Sequence, residues 1–122
     1  VEEHRKILLV EDDRLVRMNL ALVLERDGYA LDMAACAAEA YERLGSGHYD
    51  LVLADIGLPD EDGFHVLRAV KKADPTTKVV LVTGSQTNLT SEQAIGQGAE
   101  CLLLKPFALA ELMDTVHRFT RV

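Results

Sequence analysis

The chain has 122 residues, 48% hydrophobic and 27% charged, with 13 Lys and Arg against 20 Asp and Glu and a formal net charge of −7 at pH 7. That length and mix suit one globular domain that buries about two thirds of its unfolded surface, and they exclude a disordered or collagen-like chain. No apolar run nears the roughly 18 residues of a membrane-spanning helix and no signal-peptide pattern opens the chain, while the acidic balance without a basic stripe argues against direct binding of nucleic acid.

Along the chain, the run Ile7-Leu8-Leu9-Val10 predicts a first strand, and 13–27 an amphipathic helix stopping at Asp27-Gly28. The alternating segment Ala30-Leu31-Asp32-Met33-Ala34 reads as an edge strand, and 37–44 as a helix. Leu51-Val52-Leu53-Ala54 predicts the third strand, 63–72 a helix, and Val79-Val80-Leu81-Val82 the fourth strand. Segment 89–97 is a polar helix interrupted by Gly96, followed by a fifth strand, Cys101-Leu102-Leu103-Leu104. The last helix spans 108–120, with Leu109, Leu112, Met113 and Val116 on one face. Continuous apolar strands are covered on both faces, as in a parallel sheet. Right-handed crossovers then give an α/β fold, a doubly wound five-stranded parallel sheet of order 2-1-3-4-5 flanked by five helices. Residues 1–122 read as a single domain, with no output domain expected in this chain.

Cys36 and Cys101 lie in apolar stretches without CxxC spacing and are expected as reduced, buried thiols of a cytoplasmic protein. His4, His48, His65 and His117 are scattered without an i, i+4 pair, so no zinc motif is present.

In this fold class a site lies beyond the carboxyl ends of the strands. There the chain places Glu11-Asp12-Asp13, Asp55, Thr83-Gly84 and Lys105-Pro106. Asp13 reads as the N-cap of the first helix. Each remaining residue has a plain structural reading by itself, but four strand ends deliver polar groups to one rim. Glu11, Asp12 and Asp55 against Lys105 leave two negative charges in one cleft, which a divalent cation would cancel. An all-oxygen set suits Mg²⁺, or Mn²⁺, better than zinc, and Mg²⁺ tends to complete its shell with waters and phosphate oxygens. The residues therefore point to a Mg²⁺-dependent phosphoryl site. The acidic loop argues against a free nucleotide or flavin, whose phosphates want backbone N–H groups.

Residues 6–10 with Glu11-Asp12, the stretch Asp55-Ile-Gly-Leu-Pro-Asp-Glu-Asp-Gly63, Val82-Thr83-Gly84, Gly98-Ala99 and Lys105-Pro106-Phe107 together resemble the receiver domain of two-component response regulators. The resemblance spans essentially the whole chain and implies a flavodoxin-like, receiver-like fold. It implies that Asp55 is the phosphoacceptor, taking a phosphoryl group from a phosphohistidine of a sensor histidine kinase or histidine phosphotransfer protein. Asp12 and Asp55 would bind Mg²⁺ directly, Gly57 through its backbone carbonyl, and Glu11 mainly through a metal-bound water. Thr83 and Lys105 would contact the phosphoryl oxygens, Gly84 would leave access, and Gly57 and Ser85 would bear on phosphoryl lifetime. The Lys105–Pro106 bond would be cis. The implied setting is a cytoplasmic phosphorelay with an output domain or downstream protein outside this chain, and a homodimer through the last two helices. The domain would catalyse only its own phosphorylation and dephosphorylation. Leu102 departs from the pattern, standing where the family carries Tyr or Phe. An alternative is a receiver-like interaction module that works without phosphorylation. A phosphohydrolase with an aspartyl intermediate is disfavoured, since such enzymes want an acid where Gly57 stands.

Overall fold

Alternating strand and helix signals fold into ten elements in a computed structural model that describes residues 5–84 and 89–121. These are β1 (Lys6–Val10), α1 (Arg14–Arg26), β2 (Ala30–Ala34), α2 (Ala37–Gly45), β3 (Leu51–Asp55), α3 (Gly63–Ala73), β4 (Lys78–Thr83), α4 (Ser91–Gly96), β5 (Cys101–Leu104) and α5 (Leu109–Thr120). The strands form one parallel sheet in the order β2-β1-β3-β4-β5. Both the order and the placing of β2 at an edge agree with the sequence reading.

The apolar runs are continuous because both sheet faces are covered. Ile7, Leu9, Leu51, Leu53, Val80, Val82 and Leu103 pack with Ala21 and Leu24 of α1 and with Leu112 and Val116 of α5. The alternate residues Leu8, Val10, Val52, Ala54, Val79, Leu81 and Leu102 pack with Ala37 and Ala40 of α2, Val66, Leu67 and Val70 of α3, and Ala94 of α4. A period of two thus divides one sequence between two cores. All five residues of β3, the central strand, are buried.

Short polar signals set the helix starts. Asp13 caps α1, accepting from the amides of Leu15 and Val16, and Asp62 caps α3 through those of Phe64 and His65. Thr90 and Gln93 form a reciprocal capping box on α4, so that helix is shorter than the 89–97 expected. Helix α1 is followed, one residue past its C-cap Asp27, by Gly28, whose φ of 93° is open to glycine at little steric cost. Cys36 and Cys101 are free thiols as expected, but half-buried rather than buried. Cys36 sits at the N-cap of α2 and Cys101 opens β5, both at element ends rather than inside the cores.

Candidate phosphoryl and metal site

The site forms where the strand ladders run out at their carboxyl ends. β1 delivers Glu11 and Asp12, β3 ends on Asp55, β4 ends on Thr83, and β5 leads through Leu104 into Lys105. Asp55 pairs in register with Val82, so Thr83 stands one residue further along the neighbouring strand. The amide of Lys105 donates to the Thr83 carbonyl at 2.7 Å, extending the β4–β5 ladder by one bond and fixing the lysine backbone. The Lys105–Pro106 bond is cis.

Carboxylate oxygens of Glu11, Asp12 and Asp55 all lie within 4.8 Å of one another. Glu11 and Asp55 are buried and Asp12 is exposed, so the cluster opens to solvent on the Asp12 side. Lys105 Nζ donates to Asp55 Oδ2 at 2.7 Å and also to Glu11 Oε1. Asp55 Oδ1 accepts from the Gly57 amide at 2.9 Å. Glu11 Oε2 accepts from the Asp13 amide at 3.2 Å. Glu11 and Asp55 are therefore each aimed by a backbone donor on one oxygen and tied to the lysine through the other.

Burial pushes the Glu11 carboxyl above its ordinary range; the Lys105 hydrogen bond and the Asp13 amide work against that rise, and the Asp55 charge adds to it. Burial works against the Lys105 ammonium, but its hydrogen bonds to Asp55 and Glu11 outweigh that, and its pKa lies above the ordinary lysine value. The lysine is a fixed cation. One ammonium among three carboxylates leaves the excess negative charge foreseen from the sequence. The donors are all oxygen, and they suit a small hard cation such as Mg²⁺.

Every residue singled out for the site comes to this rim except Ser85, which lies outside the described residues, as does His4. Gly57 reaches Asp55 through its amide, an interaction the sequence did not suggest. Two contributors escaped the sequence reading of the residues. One is Gly63, where a Cβ would lie 2.6 Å from the Asp55 carbonyl oxygen and 2.8 Å from Ile56 Cα. Only glycine lets α3 start that close to the strand carrying Asp55, and its amide closes the loop on the Ile56 carbonyl at 2.9 Å. The other is Arg17, whose guanidinium binds the backbone of the acidic pair. The signal for Gly63 was its place in the Asp55–Gly63 stretch, whereas Arg17 looked like one more surface charge on α1. Leu102 is buried in the core cluster that includes Leu81, Ala94 and Ala99.

With this geometry, comparison with known proteins defines a class. The family model of the response regulator receiver domain matches residues 7–117, and the chain belongs to that family. It is 40% identical over 116 residues to the transcriptional regulatory protein BasR of Escherichia coli (strain K12), covering 95% of this chain and 52% of BasR. The chain thus spans about half the length of that relative. A CheY-like receiver domain protein from Methanospirillum hungatei JF-1 superposes with a TM-score of 0.88 at 29% identity, covering 95% of this chain and 93% of that one. A response regulator protein from Burkholderia pseudomallei, solved with a phosphorylated aspartic acid, calcium ion and citrate, gives a TM-score of 0.81 at 26% identity, over 89% of this chain and 64% of that one. The chain is therefore a receiver domain of the two-component response regulators, a signalling domain built on a phosphoacceptor fold.

Proposed function

We propose that Asp55 is the phosphoacceptor of this domain and takes its phosphoryl group from a phosphohistidine of a sensor histidine kinase or histidine phosphotransfer protein. The observation that carries this reading is the Lys105 ammonium shared between Asp55 and Glu11, inside a carboxylate cluster that keeps excess negative charge. The likeness to a receiver solved with a phosphorylated aspartic acid and a calcium ion supports it.

An Asp55 carboxylate oxygen forms a bond to phosphorus as the phosphorus–nitrogen bond breaks, and the departing imidazole takes a proton. Asp12 and Asp55 would hold Mg²⁺ directly, with the Gly57 carbonyl and, through water, Glu11, and the ion would supply positive charge against the transferring oxygens. Lys105 already stands at the acceptor carboxylate, so its positive charge needs little reorganisation as the phosphoryl oxygens arrive. Thr83, buried at the end of β4, donates its hydroxyl to a phosphoryl oxygen, and Gly84 leaves the approach open. Water later attacks phosphorus, releasing inorganic phosphate and the free carboxylate. The domain thus catalyses only its own phosphorylation and dephosphorylation, and relays the signal by a conformational change to an output domain or downstream protein.

Exposed apolar residues support a docking face for the donor. Leu15, Met18 and Leu22 are exposed along α1 at i, i+3 and i+7. Beside them lies a groove of about 500 Å³ lined by Val16, Asn19, Leu20, Gly84, Lys105, Pro106 and Phe107, which opens onto the site. An apolar helix face carrying the phosphohistidine fits there. Ile95 of α4, Leu104 and Leu109 of α5 are exposed as well, and would serve a homodimer through the last two helices. No helix of the described residues is long and apolar enough to cross a membrane, and we place the domain in the cytoplasm.

Intact mass after incubation with Mg²⁺ and an acyl phosphate tests the reading. Wild type should gain a single phosphoryl group, and Asp55→Asn or EDTA should prevent it. No addition, under conditions that label a control receiver, would instead favour an interaction module working without phosphorylation.

A further inference from the structure

We infer that Arg17 is a positioning residue of the metal site, fixing the backbone of the acidic pair so that Glu11 and Asp12 present their carboxylates together. The inference rests on the Mg²⁺ reading above. Arg17 is half-buried on the first turn of α1, and its Nη1 donates to the Glu11 carbonyl at 2.7 Å and the Asp12 carbonyl at 3.3 Å. These two carbonyls follow the last residue of β1. The Glu11 amide still joins the sheet, donating to the Ala34 carbonyl at 3.0 Å, but the chain then turns away from both neighbouring strands. The Glu11 carbonyl of this turn is part-buried and needs a donor from elsewhere, since a buried peptide oxygen without one is costly, while the Asp12 carbonyl lies on the exposed side.

A single guanidinium nitrogen supplies both. The helix supports it in turn, because the Arg17 amide donates to the Asp13 carbonyl at 2.9 Å while Asp13 caps α1. Backbone and side chain of one residue therefore grip three consecutive carbonyls, those of residues 11, 12 and 13. Arg17 makes no ion pair with a carboxylate among the described residues, so its charge is directed at backbone oxygens and the acidic cluster stays free to attract a divalent cation. Lysine could keep the charge but not the rigid planar geometry that fixes Nη1 between the two carbonyls.

The experiment is an amide-resolved NMR titration of the unphosphorylated domain with Mg²⁺ alone, following Asp12 and Gly57 at fixed temperature. Arg17→Gln should raise the half-saturating Mg²⁺ concentration about tenfold, as expected on removing a partner that orients a metal ligand, and Arg17→Lys should raise it less. Leu24→Ala, which weakens the same helix from its buried face, should lower the unfolding temperature and leave half-saturation unchanged. That contrast separates positioning from helix stability. Wild-type half-saturation in both Arg17 variants, or an equal rise in Leu24→Ala, would overturn the inference. If Arg17→Gln does not fold, the comparison of Arg17→Lys with Leu24→Ala decides it alone. Failure of the wild-type amides to respond to Mg²⁺ would overturn the metal reading itself, and the inference with it.

Discussion

At the amino ends of the strands, carboxylates and cations are matched. Arg5 meets Asp50 at 3.7 Å, Lys6 and Arg43 meet Asp32 at 3.4 and 4.0 Å, and Lys71 meets Glu100 at 3.0 Å. His48 lies between Asp50 and Asp74. At the carboxyl ends, Glu11 and Asp55 share Lys105, and the Asp12 carboxylate lies beside them. The paired groups at the amino rim are partly exposed, where each pair is worth roughly 0–1 kcal/mol and mainly ties helix ends to strand ends. The carboxyl rim gathers like charges in a buried cleft, which works against folding unless a cation is recruited. One end of the sheet has the charge pattern of a surface optimised for stability, and the other that of a binding site.

Deleting one lysine at each rim is the strongest test of that distinction. Lys105→Met leaves Glu11, with only 3% of its side chain exposed, and Asp55 without their cation. Stripping a partner from a buried ion pair costs about 3 kcal/mol or more. Lys71→Met leaves Glu100 partly exposed and still accepting the Val79 amide at 2.6 Å, and should cost about 1 kcal/mol. Urea unfolding in EDTA measures both. Mg²⁺ should then recover part of the Lys105→Met loss and none of the Lys71→Met loss. A saturating ligand at one hundred times its Kd contributes about 2.7 kcal/mol. Equal losses at the two rims, with no response to Mg²⁺, would abolish the distinction.

The fold was legible because its signals are local and repeated. Four continuous apolar runs and one alternating segment mark all five strands, and the strand ends point to the rim where Glu11, Asp12, Asp55 and Lys105 come together. Asp13 was readable as a cap because its interaction spans two or three residues. The unread features all depend on approach through space. Gly63 is required by the Asp55 carbonyl eight residues earlier, a contact that exists only once α3 folds against β3. Lys105, by itself an ordinary surface charge, becomes a fixed cation because β5 ends beside β4, whose neighbour β3 ends on Asp55. The cysteines were expected to be buried from their apolar neighbours, yet each falls at an element end where packing is incomplete. The Thr90–Gln93 spacing carried the correct start of α4 in plain sequence, and its polar face obscured it.

Not every acid at the carboxyl rim need serve a cation, and Asp60 shows the difference. Its two oxygens accept from the amides of Ala37 and Ala38 at 2.9 Å each, capping α2 from 23 and 22 residues away. The N-cap residue Cys36 makes no such bond with its own side chain. Those amides hold the Asp60 carboxyl below its ordinary range. Asp60→Ala should therefore lower stability, as losing a cap does, and Asp60→Asn should lower it less because one acceptor remains. Unfolding curves of the two variants check the order. A loss in Asp60→Ala that appears only when Mg²⁺ is present would instead assign Asp60 to the metal site.

The smallest effect concerns acid at the amino rim. Asp32 lies below its ordinary pKa of 3.8, chiefly because the Tyr49 hydroxyl donates to it at 2.7 Å, with Lys6 and Arg43 adding to the shift. A carboxylate whose folded pKa is depressed contributes stability that is fully present above its unfolded value and disappears as pH falls through the folded one. Asp74, lowered by hydrogen bonds from Thr76 and by His48, acts in the same direction. Stability should thus decline as pH drops below 3.8, with Asp32 responsible for a distinct part of the slope. Asp32→Asn removes the titrating group while retaining an acceptor for Tyr49. It should flatten the acid limb of stability against pH, lowering stability at pH 7 and making little difference at pH below the folded pKa, where Asp32 is already protonated. An unchanged slope would mean that the matched charges of the amino rim are present equally in the unfolded chain, and that their tidy pairing follows from the fold rather than supporting it.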